Sequence, residues 1–106
     1  MRVLFDQGTP APLRDVLPGR DITTAHELGW DTLDNGTLLT SAEDQGFQVI
    51  LTTDQRLEYQ QSLAGRTIAV VVLSTTSWPR IRLAASAIAE ALSTAAPGTF
   101  TLVTIP

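Results

Sequence analysis

Short apolar runs alternate with helix-like segments along this chain, and the runs predict β-strands. The first run covers residues 2–5, and a weaker one covers 21–24. Stronger runs cover 47–52 and 67–73, while 99–105 alternates apolar and polar residues as an edge strand does. Because the run 67–73 is apolar on both faces, it predicts a central strand of a sheet that is covered on both sides.

Segments with helical periodicity lie between the predicted strands. The first follows Thr9, a candidate N-cap, and places Pro10 at the first helical position. The alternation of strands and helices predicts a three-layer α/β fold around a mostly parallel sheet. The predicted helices cover residues 10–17, a single turn at 25–28, a segment capped by Asp34 or Asn35 and ended by Gly46, residues 55–63, and the longest helix, which begins at Ser77 and is ended by Pro97-Gly98.

The composition narrows the class of protein. A length of 106 residues suits one domain with its own core, and 43% hydrophobic residues argue against intrinsic disorder. The chain has no cysteine, which excludes disulfides and thiolate metal sites. The longest purely apolar run, 68–73, is too short to cross a bilayer, and residues 1–6 are typical of a strand rather than a signal peptide. We therefore expect a cytoplasmic protein without membrane contact.

The charge balance bears on nucleic-acid binding. The formal net charge is −4, and all seven basic residues are arginines. A protein that holds duplex DNA on its own usually carries a basic surface, so this acidic chain is not expected to be a general nucleic-acid binder. The balance still allows an enzyme whose bound metal ion supplies the local positive charge.

Two aspartates directly follow predicted apolar strands, and they are the best candidates for chemistry. Asp6 follows the first strand and Asp54 the third. Ligands of open parallel sheets bind beyond the carboxyl ends of the strands, so both side chains should enter one crevice if their strands are neighbours. Two carboxylates about 4 Å apart repel by roughly 4 kcal/mol at an effective dielectric constant of about 20, and a divalent cation offsets that repulsion.

The available ligands favour a particular kind of metal. With no cysteine and a single histidine, an all-oxygen site favours Mg²⁺ or Mn²⁺ over Zn²⁺. Such an ion lowers the pKa of a bound water and holds a phosphate oxygen, which is the chemistry of phosphodiester hydrolysis. The alternative is that each aspartate is only a helix N-cap, a role that contributes about 1 kcal/mol. Glu27 is a further candidate metal ligand or a solvated charge, while Asp31 is interpreted as a solvated charge.

Several motifs, taken in order, resemble the small stand-alone PIN-like domains of unknown function, which are relatives of the VapC-type toxin ribonucleases. The similarity extends over essentially the whole chain. The matching segments are Leu4-Phe5-Asp6-Gln7-Gly8-Thr9-Pro10, His26-Glu27-Leu28-Gly29-Trp30, Asn35-Gly36-Thr37-Leu38-Leu39, Thr52-Thr53-Asp54-Gln55, Tyr59-Gln60-Gln61, Val72-Leu73-Ser74 and Trp78-Pro79-Arg80-Ile81.

This resemblance implies a single PIN-like domain over residues 1–106, a three-layer α/β/α sandwich with about five strands. It also implies a pocket that binds Mg²⁺ or Mn²⁺ and cleaves RNA. Asp6 and Asp54 match the family's strand-end aspartates, and Asn35 falls where many relatives carry Asp or Asn. The expected function is a metal-dependent endoribonuclease, the toxin component of a toxin–antitoxin pair, with a small antitoxin-like protein as partner and a homodimer as the assembly.

The chain departs from the family pattern at two positions. Arg56 stands two residues beyond Asp54, where relatives commonly place Asp or Asn, and Thr37 replaces a frequent acidic residue. These departures leave an alternative, a non-catalytic PIN-like module that binds a partner protein through a degenerate acidic site. A receiver-like domain is a weaker alternative, because its pocket needs a lysine and the chain has none.

Overall fold

Five parallel strands form one sheet in this computed structural model, which describes residues 1–57 and 61–106. The strands lie in the order β2-β1-β3-β4-β5, and all four neighbouring pairs are parallel. The predicted α/β class and its parallel sheet are therefore confirmed. The strands are β1 (Arg2–Phe5), β2 (Asp21–Thr24), β3 (Val49–Thr52), β4 (Ala69–Leu73) and β5 (Phe100–Val103).

Three α-helices pack against the sheet in the described part of the chain: α1 (Asn35–Asp44), α2 (Trp78–Ile81) and α3 (Ala85–Thr94). The predicted longest helix is thus divided, because the 3₁₀ turn Arg82–Ala84 separates α2 from α3. At Ala84 the backbone leaves helical geometry, with φ −104° and ψ 18°. None of these helices has both the length and the apolar composition needed to cross a bilayer.

Some local predictions need correction. The segment after Pro10 forms a 3₁₀ helix, Ala11–Val16, and its N-cap residue is Pro10. The predicted cap, Thr9, instead donates its buried hydroxyl to the carbonyl oxygen of Leu51 over 2.9 Å. This hydrogen bond ties the loop after β1 to β3. The predicted helix over 55–63 includes residues 58–60, which lie outside the described residues.

Helix α1 begins and ends as its sequence predicts. Asp34 is the N-cap, and its Oδ1 accepts a hydrogen bond from the Thr37 amide over 2.8 Å. Gly46 follows the helix with a φ of +81°, a conformation that glycine adopts without strain. The apolar face of α1 packs on the sheet through Leu38, Leu39 and Ala42.

The sheet separates two apolar layers because successive strand residues point to opposite faces. On one face the strands pack against the 3₁₀ segment 11–16, α2 and α3; on the other they pack against α1 and side chains of the β3–β4 connection. Every residue of β3 and β4 is buried, which explains why Thr52 is the one polar residue in these two strands. The first layer includes Val3, Phe5, Leu51, Val71, Ile81, Ile88 and Leu92, and the second includes Leu4, Leu38, Leu39, Ile50, Leu57, Val70 and Val72.

Candidate functional site: an acidic cleft at the strand ends

The candidate site lies where the winding of the sheet changes direction. The chain leaves β1 towards β2 on one side, whereas β3, β4 and β5 follow one another on the other side. In parallel α/β sheets this switch point leaves a crevice at the carboxyl ends of the strands, and ligands bind there. The switch lies between β1 and β3, the two strands that precede Asp6 and Asp54.

The two strands end at the same level. Phe5 is aligned with Leu51, and the amide of Asp6 donates to the carbonyl oxygen of Leu51 over 2.9 Å. Asp6 and Asp54 therefore follow neighbouring strands, which is the condition under which the sequence placed both side chains in one crevice. Both line one open cleft of about 610 Å³. The other lining residues are Gln7, Gly8, Trp30, Asp31, Leu33, Asn35, Thr53, Gln55 and Arg56.

Thr52 links the two aspartates. Its side chain is buried, with the residue only 1% exposed, and its Oγ1 donates to Asp6 Oδ2 over 2.8 Å. The same oxygen accepts a hydrogen bond from the Asp54 amide over 3.1 Å. One hydroxyl thus orients the carboxylate of Asp6 and the backbone that carries Asp54. Sequence reasoning missed this role, because a threonine at the end of a strand is also an ordinary β-sheet residue.

Asp54 is surrounded by hydrogen-bond donors. Its Oδ1 accepts from the Arg56 amide over 3.0 Å and from the Arg56 Nε over 3.3 Å, and its Oδ2 lies 3.4 Å from Asn35 Nδ2. Partial burial acts to raise the pKa of Asp54, but these donors and the Arg56 charge outweigh it and lower the pKa below its usual value. Asp54 is therefore a carboxylate at neutral pH.

The loop that carries Asp6 is tightly held. Asp6 Oδ1 accepts from the Gln7 amide over 2.8 Å, and the Asp6 carbonyl accepts from the Thr9 amide over 2.9 Å. Gly8 passes so close to the loop after β3 that a Cβ at this position would clash with Thr53 Oγ1. Glycine thus allows the two loops to form adjacent walls of the cleft.

Asn35 and Asp31 also line this cleft, whereas Glu27 lies elsewhere. Glu27 forms an ion pair with Arg14 at 2.7 Å, and its Oε1 accepts from the Thr24 amide while Thr24 Oγ1 accepts from the Glu27 amide. These reciprocal bonds are those of a capping box, and they give Glu27 a structural role. Hydrogen bonds from Thr24 and Arg14 lower its pKa.

Asp31 is an acidic residue of the cleft that the sequence analysis interpreted as a solvated charge. It lines the cleft, and its Oδ2 lies 3.8 Å from Nδ1 of His26. The carboxylate follows a turn rather than a strand, so strand-end spacing could not identify it. Its only sequence signal is its position directly after Trp30, the last residue of a motif that carries the family resemblance.

The donor set suits a cation that keeps much of its hydration shell. In the described part of the chain, no three His, Cys, Asp or Glu side chains are grouped closely enough to hold a metal ion. Mg²⁺ is nevertheless often held in phosphoryl-transfer sites by one or two carboxylates, with waters and substrate phosphate completing its shell. Asp6 and Asp54 are the two carboxylates of such a minimal arrangement, while Asn35 directs its amide nitrogen, a hydrogen-bond donor, towards Asp54.

Comparisons of the chain with protein-family models, with curated proteins and with solved structures gave no match. Function has to be inferred from the site itself, because a fold of this class supports many activities. Of the motif Tyr59-Gln60-Gln61, only Gln61 is a described residue; its amide donates to the Leu57 carbonyl over 3.0 Å, and its side chain lies beside Gly36 at the start of α1.

Proposed function

We propose that this protein is a PIN-like ribonuclease that depends on Mg²⁺ or Mn²⁺ and acts as the toxin of a toxin–antitoxin pair. The observation that carries the proposal is the placement of Asp6 and Asp54 in one cleft at the switch point of the sheet, joined by the hydroxyl of Thr52. The motifs that resemble PIN-like domains supply the choice of RNA as substrate.

In this proposal, Asp6 and Asp54 bind the cation directly and Asn35 contacts its hydration shell. When bound, the cation lowers the pKa of a water molecule and offsets the negative charge of a phosphodiester. Thr52 keeps Asp6 oriented through a hydrogen bond to one carboxylate oxygen. The low pKa of Asp54 keeps it ionised at neutral pH, as metal binding requires.

Arg56 has a place in the same proposal as a phosphate-binding group. Its side chain is 79% exposed at the edge of the cleft, where the guanidinium contacts Asp54. An RNA phosphate entering an acidic cleft needs positive charge, and a guanidinium presents several donors to phosphate oxygens. We expect Arg56→Gln to weaken RNA binding more than it changes the cleavage step.

The direct test is cleavage of a structured RNA by the purified protein in the presence of Mn²⁺. Asp6→Asn and Asp54→Asn keep side-chain size and remove one charge each. Each variant should reduce the cleavage rate by about tenfold to a hundredfold, the range of losses found when groups around a metal site are altered. Asp44→Asn is the matched control, because Asp44 is an exposed residue at the end of α1. This variant should cleave the RNA as fast as the wild type does.

Calorimetry separates metal binding from catalysis. The wild-type protein should bind Mn²⁺, and Asp54→Asn should lose most of that affinity while Asp44→Asn keeps it. Cleavage that persists unchanged in both Asp6→Asn and Asp54→Asn would come from a contaminating nuclease. That result would refute the proposed activity.

One observation favours the second candidate, a non-catalytic PIN-like module with a small antitoxin-like partner. The Arg56 guanidinium lies on Asp54 Oδ1, where a cation would otherwise sit. In that case calorimetry should detect no Mn²⁺ binding, and a candidate partner encoded next to this gene should form a stable complex with the purified protein. Metal affinity that disappears in Asp54→Asn would contradict this alternative.

A further inference from the structure

Strand β5 forms one edge of the sheet and has no neighbour on its outer side in the described part of the chain. The carbonyl oxygens of Thr99 and Val103 accept hydrogen bonds from β4 and from Ser74. Since alternate residues of a parallel strand bond to the same neighbour, Phe100, Leu102 and Thr104 direct their backbone groups away from the sheet. These three residues present an open hydrogen-bonding edge.

This outer edge carries no charged side chain that would keep another strand away. Natural proteins guard sheet edges with charged side chains, bulges or a covering segment. The opposite edge strand, β2, carries an exposed charge at Asp21, whereas residues 99–106 contain none. Instead, β5 exposes 57% of Leu102. An uncharged edge with an exposed leucine is typical of a strand that pairs with another chain.

An apolar groove of about 430 Å³ lies beside the same edge, because Thr104 and Pro106 help to line it. One of its lining residues, Leu83, is 80% accessible. Strand pairing over a few residues buries less than the roughly 1,000 Å² expected of a stable interface. The groove supplies apolar area that a partner across the edge would cover. The remaining lining residues are Arg80, Ala84, Ser86 and Ala87.

We propose that a second copy of this chain pairs with β5 in antiparallel orientation, giving a dimer with a continuous ten-stranded sheet. A twofold axis at Leu102 places Leu102 opposite its own copy and Phe100 opposite Thr104. All three residues then exchange backbone hydrogen bonds, so one edge is complementary to itself. The inference is independent of the proposed nuclease activity.

Among the possible approaches of two copies, charge favours this edge. Each chain has a net charge of −4, so most approaches of two copies are opposed by like-charge repulsion. The segment 99–106 is neutral, and two copies can meet along it without placing acidic side chains opposite each other. The arginines Arg80 and Arg82 lie in or beside the groove and reduce the repulsion further.

The first experiment measures the mass of the intact protein in solution by light scattering during gel filtration. The wild type should have twice the 11.4 kDa mass of one chain. Leu102→Lys places two like charges opposite each other and should raise the dissociation constant about tenfold or more. The control is Leu28→Lys, since Leu28 is also exposed (38%) but lies in the turn after β2 and should leave the dimer intact.

The second experiment tests the register. The chain has no cysteine, so Leu102→Cys introduces a single thiol. Opposed residues of a hydrogen-bonded antiparallel pair have Cα atoms about 5.5 Å apart, within the roughly 4.4–6.8 Å that a disulfide spans. Mild oxidation should therefore link Leu102→Cys into a covalent dimer, while Leu28→Cys stays a single chain. This variant also tests the proposal should the lysine variant fail to fold.

Three outcomes would overturn the proposal. One is a wild-type protein that stays monomeric up to about 100 μM, a concentration at which even a weak dimer is populated. Another is a dimer that is unchanged by Leu102→Lys and not linked through Leu102→Cys, which would place the interface elsewhere. The third is a monomer whose β5 edge pairs only with a strand of a different protein.

Discussion

The buried hydroxyl of Thr52 joins the two aspartates of the cleft, and Thr52→Val removes it while preserving the shape of the side chain. The substitution eliminates a hydrogen bond to the carboxylate of Asp6 and a second one from the amide of Asp54. Because Thr52 is only 1% exposed, water cannot enter easily to replace the lost hydroxyl. The change therefore tests whether this bridge stabilises the strand ends.

The expected loss follows from the two hydrogen bonds. A hydrogen bond to a charged group contributes about 1.5–3 kcal/mol, and a neutral one contributes about 1 kcal/mol. The Asp6 carboxylate is partly exposed and regains some solvation, and the added methyl group of valine is favourable in an apolar site. We therefore expect the free energy of unfolding to fall by about 2 kcal/mol and the Tm to fall by about 10 °C.

Urea unfolding at pH 7, followed by circular dichroism, measures this loss. Thr52→Ser is the matched control, because it keeps the hydroxyl and loses only a buried methyl group, at a cost of about 1 kcal/mol. A double-mutant cycle with Asp6→Ala should give a coupling energy of about 1–2 kcal/mol between the two side chains. A Thr52→Val protein within about 0.5 kcal/mol of the wild type, or one no less stable than Thr52→Ser, would refute the bridging role.

Three further predictions concern single residues. Arg56→Gln removes a positive charge beside Asp54, so the pKa of Asp54 measured by NMR should rise towards its usual value and Mn²⁺ should bind several-fold more tightly in calorimetry; an unchanged pKa would contradict the contact. At Glu43, burial acts to raise the pKa, but hydrogen bonds from Thr67 and Arg66 outweigh it and lower the pKa below 4.5. The ionised Glu43 side chain therefore stabilises the fold fully above pH 4.5, and this stabilisation is lost as the pH falls through the lower pKa of the folded state. Glu43→Gln should therefore reduce the free energy of unfolding at pH 7 by about 1–2 kcal/mol, and the variant should lose less stability between pH 7 and pH 3 than the wild type does. Urea unfolding at both pH values measures this, and an equal loss in the two proteins would contradict the role of Glu43. Gly46→Ala places a side chain on a residue with a φ of +81°, and it should reduce the free energy of unfolding by about 1–2 kcal/mol in the same assay. Gly46→Asn should reduce it less, because asparagine tolerates this conformation better, and an equal loss for both variants would contradict the backbone explanation.

The fold was largely predictable because its information is local. Strands β3 and β4 are buried on both faces, and their sequences, which are apolar apart from Thr52, predict that burial directly. Asp34 and Gly46 mark the ends of α1 through backbone requirements that act within a few residues. Short-range signals of this kind identify elements, and the preference for parallel pairing in alternating α/β chains then supplies the arrangement.

The site was predictable only where it depends on strand order. Asp6 and Asp54 could be placed together because each directly follows a strand, so their proximity required only that the strands be neighbours. Asp31 follows a turn, and the position of a turn above a sheet depends on tertiary packing. Glu27 was a candidate ligand in the sequence, although the spacing Thr24-Ala25-His26-Glu27 is that of a capping box and was a local sign of its structural role. Its ion pair with Arg14 joins residues 13 positions apart and depends on tertiary packing.

In the sequence, Arg56 in place of an acidic residue argues strongly against a metal site, but in the structure this argument is weaker. A guanidinium in place of a carboxylate removes one metal ligand and places a positive charge beside Asp54. That charge is weakly held, because the Arg56 side chain is 79% exposed and ion pairs at such sites contribute little. A divalent cation could therefore displace it at small cost, and the same side chain would then be free to contact a phosphate. Whether a cation binds depends more on the small number of carboxylates in the cleft than on competition from Arg56. The measurement that decides between an active nuclease and a degenerate site is thus Mn²⁺ binding by the wild-type protein compared with Asp6→Asn and Asp54→Asn.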